Sequence, residues 1–141
     1  MHRSTSDACR PLVVVGMEDE RAIAAGGDVD VVVGAANARL LRERLSRLDP
    51  SKFSAVYSFG VSGGLEPALK PGSLLVSTRV VAQDAGVSRT LETAGWAADP
   101  KLLSAVLQRA VNTGSPALRT GIFLGTDVEA RDNDHASLQA L

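Results

Sequence analysis

Apolar positions fall in short blocks separated by polar and glycine-rich segments, and the blocks alternate between two periodicities. Leu12 to Val15 is a continuous β-branched run closed by Gly16, the pattern of a strand buried on both faces, which favours a parallel sheet. Val29 to Val33 and Ala55 to Phe59 repeat it. Between them Asn37 is placed to open a helix with Leu41, Leu45 and Leu48 on one face, so strand, helix and strand make a βαβ unit. Ser73 to Ser77 and Arg79 to Ala82 read as further strands, preceded by a Pro71-Gly72 turn. Asp99 then caps a helix with Pro100 at its first position, Leu102, Leu103, Val106, Leu107 and Ala110 on its inner side, and Gly114 after its end. Leu118 to Leu124 is a last strand, followed by a polar loop from Thr126 to Asn133 and a short helix to Leu141.

This order predicts an α/β fold with a central mixed, largely parallel sheet flanked by helices. Residues 1–11 are polar and aperiodic, a flexible leader to one domain over residues 12–141. A chain of this class ordinarily returns to the sheet after a helix, so the domain reads as cut short at its C-terminus.

Composition narrows the function classes. With 45% hydrophobic and 22% charged residues, a chain of 141 residues makes one compact domain rather than a disordered segment. Its 15 lysines and arginines against 16 aspartates and glutamates argue against affinity resting on nucleic-acid phosphates, so a small-molecule ligand is expected and a nucleic acid is not. Tyr57 and Trp96 are too isolated for a base-stacking platform. Cys9 has no partner for an internal disulfide, which points to a reducing cytoplasm, and with His2 and His135 it falls short of a metal cluster. No apolar run is long enough to insert into a membrane.

Three segments can carry chemistry. Gly16-Met17-Glu18-Asp19-Glu20-Arg21 follows the first strand, where a parallel sheet places its ligands and where glycine admits close approach of a ligand. Glu20 can act there as a base, or the three acids can simply complement a helix dipole, with Arg21 as a surface ion-pair partner. Phe59-Gly60-Val61-Ser62-Gly63-Gly64-Leu65 ends another strand and can present consecutive backbone N–H groups to an anion or a sugar, with the Ser62 hydroxyl beside them. A tight turn is the plain alternative. The cluster is neither a Walker A loop nor a G-x-G-x-x-G fingerprint, so no nucleotide cofactor follows from it. Gly125-Thr126-Asp127 lies beyond the last strand, where Asp127 can orient a ligand or cap a helix; Asp84 has the same two readings.

Gly60-x-Ser62-x-Gly64 also satisfies the nucleophile-elbow pattern, which keeps a serine hydrolase as a rival. That elbow needs a helix directly after the serine, which Leu65 to Gly72 with two prolines suits poorly, and a late histidine, for which only His135 is available.

Taken together, Val15 to Glu20, Gly60 to Gly72 and Gly125 to Asp127 resemble the nucleoside phosphorylase and nucleosidase superfamily, which includes methylthioadenosine and adenosylhomocysteine nucleosidases. The short link from Glu20 to Gly34, without the family's usual hairpin insertion, is more similar to the phosphorylase-like proteins associated with hopanoid biosynthesis, which are thought to remove adenine from adenosylhopane. The resemblance implies cleavage of an N-glycosidic bond in an adenosine derivative, by water or with phosphate as co-substrate, and no other cofactor. By that resemblance Glu20 activates the water; Gly16, Val61, Ser62, Gly63 and Gly64 line the nucleophile and ribose pocket; and Thr126 and Asp127 pass along the base. A phosphorylase would want cations near its nucleophile, for which Arg21 and Arg39 are the candidates. Homo-oligomeric assembly follows by analogy alone. The family's ribose-binding Met-Glu segment and purine-protonating aspartate match nothing up to Leu141, so the expectation is a fragment or an inactive member, since a missing proton donor costs about 10²- to 10⁴-fold in rate. A nucleoside-binding or interaction module without turnover is the other reading.

Overall fold

A computed structural model of the chain describes residues 9–83, 95–115 and 118–126. The chain divides into two compact units, Met1–Ser62 and Gly63–Leu141. In the first, β1 (Arg10–Val15), α1 (Glu18–Ala24), β2 (Asp30–Val33), α2 (Ala38–Ser46) and β3 (Phe53–Phe59) follow one another, with a short 3-10 turn at Pro50–Lys52. The strands form an all-parallel sheet in the order β2–β1–β3. The expected strands and helix are therefore present; β1 begins at Arg10, inside the segment read as a leader, and β3, at the edge of this sheet, alternates half-buried and exposed residues instead of being buried on both faces, with Val56 and Phe59 exposed.

Burial explains why β1 is the centre. Val15 stands in register with Val33 and Phe59, and Leu12, Val15 and Val33 are the buried apolar residues of the described chain. Leu12 and Val15 project to opposite faces by strand alternation, so β1 is covered on both, as its unbroken apolar run requires. The connections leave β1 on one side to reach β2 and then cross to the other side to reach β3. That reversal makes the carboxyl ends of β1 and β3 a topological switch point, the place where open parallel sheets leave a crevice.

Local chemistry sets the helix starts. Asn37 accepts the Leu40 N–H through its side chain at 3.0 Å, and α2 holds Leu41 and Leu45 half-buried on one side, with half-buried Leu48 just beyond its end. The turn into α2 is less ordinary. Ala35 and Ala36 have φ of 51° and 50°, and the Asn37 N–H donates to the Gly34 carbonyl at 3.0 Å. Two successive left-handed residues closed in this way make a type I′ turn, which asparagine and glycine normally supply.

The second unit contains β4 (Leu74–Gln83), β5 (Gly95–Ala97), α3 (Pro100–Asn112) and β6 (Leu118–Thr126). Its sheet has the order β5–β4–β6, antiparallel on one side of β4 and parallel on the other. Parallel and mixed sheets flanked by helices are thus both present, as two three-stranded ladders among the described residues. The two strands expected at Ser73–Ser77 and Arg79–Ala82 are one strand with a bulge between them: the β6 register shifts between Ser77 and Arg79, and Thr78 Oγ1 donates to the Gly121 carbonyl at 3.2 Å. Asp99 caps α3 by accepting the Lys101 and Leu102 N–H groups at 2.8 and 3.0 Å, and Gly114 ends it with φ of 63°. Leu102, Leu103, Val106, Leu107 and Ala110 are half-buried rather than buried. The expected helix before Leu141 and the loop after Thr126 lie outside the described residues.

Two substitutions test these local features by urea unfolding. Asp99→Ala should destabilise the second unit by about 1 kcal/mol and Asp99→Asn by much less, because asparagine still accepts the two N–H bonds. Ala36→Gly should stabilise the first unit by roughly 0.5–1 kcal/mol, the left-handed penalty relieved less the extra freedom of the unfolded glycine.

Candidate functional site

The end of β1 carries three consecutive acids, and the fold sorts them. Glu18 and Arg21 are exposed and pair with each other at 2.7 Å, and Asp19 is exposed. Arg21 is therefore the surface partner that was one of its two readings. Glu20 turns inward and is only 6% exposed. As the third residue of α1 its side chain reaches back to the N–H of Met17, the residue before the helix, which is the glutamate half of a capping box; methionine has no oxygen to complete the other half.

The carboxylate does more than cap. Oε2 accepts the Gly16 N–H at 2.8 Å and the Met17 N–H at 2.9 Å, while Oε1 accepts the Val61 N–H at 2.9 Å. One side chain on α1 thereby joins the end of β1 to the segment just after β3, across the switch point. In the glycine-rich segment the Val61 N–H is taken by the protein's own Glu20.

These bonds fix the charge. The Val61 N–H is the strongest influence and lowers the Glu20 pKa; burial opposes it; the Met17 and Gly16 N–H groups lower it further, and the net result lies below the ordinary glutamate range. A carboxylate has about four acceptor positions. Three are taken here, and no fourth donor among the described residues fills the last, which belongs to Oε1. Such a group can orient a water or a hydroxyl and face a developing cation. Met17 and Val61, whose N–H groups bind it, keep exposed apolar side chains.

The other expected residues distribute unevenly. Gly16, Glu20 and Val61 come together, and Ser62 is exposed beside them in sequence. Gly63 and Gly64 open the second unit, where a side chain at position 64 would press on Leu69 at 3.2 Å. Thr126 ends β6 in that unit. Asp127, His135 and Asp84 lie outside the described residues. Arg39 is exposed on the first turn of α2. Residues 60–73 form loops and turns with no helix, so the strand-to-helix elbow that a Ser62 nucleophile requires is not built. Among the described residues no three His, Cys, Asp or Glu side chains gather as a metal site, and no helix is long and apolar enough to cross a membrane. Gly60 belongs to the site, and the sequence pattern does not distinguish it from Gly63 and Gly64. Its signal is spatial, not sequential: a Cβ there would meet Glu20.

Comparison with known proteins bears on the family and the fold. The model of the phosphorylase superfamily matches residues 8–137. A 5′-methylthioadenosine/S-adenosylhomocysteine nucleosidase of Neisseria meningitidis, solved in complex with methylthio-immucillin-A, superposes with a TM-score of 0.67 at 19% identity, covering 94% of this chain and 71% of that one. At that identity the likeness is one of fold. No curated protein matches the chain.

Glu20→Gln tests the anchoring. A neutral amide presents N–H groups where the backbone already donates, so the first unit should lose about 1–3 kcal/mol at neutral pH in urea unfolding. Because the folded pKa is the lower one, this contribution is fully present above the unfolded value and is lost as pH falls through the folded one. The gap between wild type and variant should accordingly narrow in acid.

Proposed function

We propose that this chain, which belongs to the phosphorylase superfamily, cleaves the N-glycosidic bond of an adenosine derivative, with Glu20 holding the nucleophile. The observation that carries the reading is the buried, ionised Glu20 carboxylate tied to the ends of β1 and β3 with one acceptor position left over. In this reaction the bond between the sugar's anomeric carbon and the purine nitrogen breaks, its electron pair leaves with the purine, and an oxocarbenium-like sugar remains. Water adds to the anomeric carbon and gives up a proton, while the purine takes one up. Glu20 accepts a hydrogen bond from the attacking water through Oε1, and its negative charge faces the sugar cation.

A carboxylate whose pKa is lowered is a weak base, so Glu20 serves more by placing the water than by deprotonating it early. That suits an oxocarbenium ion, which reacts with neutral water. Water is favoured over phosphate on the same ground. An anionic nucleophile would have to approach a fixed carboxylate, and the nearby Arg21 is engaged with Glu18. The exposed apolar side chains of Met17 and Val61 favour a substrate with an apolar 5′ substituent, from an alkylthio group to a hopane. The resemblance of the sequence to hopanoid-associated proteins supports the latter, and the free Cys9 fits work in the reducing cytoplasm.

Adenine release from a panel of 5′-substituted adenosines, with and without phosphate, tests this reading. Release should be independent of phosphate and should fall by about 10²-fold or more in Glu20→Ala. Release that requires phosphate would exchange the nucleosidase for a phosphorylase. Nucleoside binding without release, by a chain shown to be folded, would replace the enzyme with a binding module.

A further inference from the structure

Position 60 is where the first unit leaves the Glu20 carboxylate the least room. A Cβ added there would lie 2.7 Å from Oε1, 3.0 Å from Cδ and 3.1 Å from Oε2, and these are the three nearest atoms it would meet. The backbone does not itself demand glycine. The described glycines with left-handed φ are Gly27, Gly72 and Gly114, so an alanine at position 60 has an allowed conformation. What excludes the methyl group is Glu20.

The end of a glutamate side chain ordinarily yields to such a contact by rotating away. Here rotation would forfeit bonds to Val61, Met17 and Gly16, so the conflict falls on the position of the carboxylate and not on the path of the chain. The glycine at the other end of the clamp is less constrained: a Cβ at Gly16 would come within 3.3 Å of Oε2.

We propose that Gly60 is a positioning residue for the nucleophile: by carrying no side chain, it lets the Glu20 carboxylate lie against the end of β3, accept the Val61 N–H, and aim its remaining Oε1 acceptor position at the attacking water. The inference rests on the reading of Glu20 as the group that holds the nucleophile, and it assigns a role to a residue that touches neither the water nor the sugar.

The test is a cycle of Gly60→Ala, Glu20→Asp and the double variant, each checked for a cooperative urea transition and assayed for adenine release. Gly60→Ala should lower kcat by about 10²-fold, the cost of misplacing a catalytic group by about 1 Å, while Gly16→Ala lowers it less. Glu20→Asp withdraws the carboxylate by one methylene and clears the space. In that background, adding Gly60→Ala should change kcat by less than about threefold, because the two sites act through one contact. The urea midpoints should show the same non-additivity. Equal fractional losses from Gly60→Ala in both backgrounds would overturn the inference. So would a Gly60→Ala chain that fails to fold even when combined with Glu20→Asp, since the backbone would then need glycine for its own sake. A wild-type chain that folds yet releases no adenine would overturn the nucleosidase reading alone, and the unfolding cycle would still decide whether Gly60 sets the place of the carboxylate.

Discussion

One buried negative charge organises the first unit. Three backbone N–H groups converge on the Glu20 carboxylate, two from the end of β1 and one from just beyond β3. Hydrogen bonds to a charged group contribute roughly 1.5–3 kcal/mol each, enough in sum to offset the desolvation of a group that is 6% exposed. Remove the charge and three donors lose their partner; remove any donor and the charge is buried with less support. The carboxyl ends of β1 and β3 are thus held in register by a side chain from the helix between β1 and β2, at the point where the chain reverses its direction across the sheet.

How much of this could be read from the sequence depended on the range of the interaction. Caps are local, and both were legible: Asn37 and Asp99 each bond N–H groups two or three residues on, so the residue type and the apolar pattern behind it suffice. Parallel strands were legible because burial on both faces leaves an unbroken apolar run, as in Leu12 to Val15. Thr78 was visible only as a gap between two apparent strands, because a bulge breaks alternation without ending the strand. β5 is three residues of Gly-Trp-Ala with no period to detect. The turn at Ala35 and Ala36 could not be foreseen, since alanine gives no sign of a left-handed φ that its neighbours impose.

The site was half legible for the same reason. Glu20 stood out by its place after a buried strand, but Glu18 and Asp19 share that place, and only the start of α1 makes Glu20 its third residue, able to reach back to the Gly16 and Met17 N–H groups. The Val61 N–H, 41 residues away, completes the set and was not legible. Gly60 shows the same dependence from the other side: the five positions from Gly60 to Gly64 hold three glycines, and only the folded chain shows which of them lies against the carboxylate.

The clamp also limits what chemistry Glu20 can perform. A catalytic base gains strength as its pKa rises toward the working pH, and the simplest way to raise a glutamate is to bury it without donors. This fold buries Glu20 and then supplies three donors, which drives its pKa the other way. The structure therefore trades basicity for position: a carboxylate that stays charged, would lose three hydrogen bonds by rotating, and offers one remaining acceptor site. Such a group is poorly suited to deprotonating a reluctant nucleophile and well suited to a reaction whose electrophile is already cationic, where the attacking water needs to be placed and sheds its proton late.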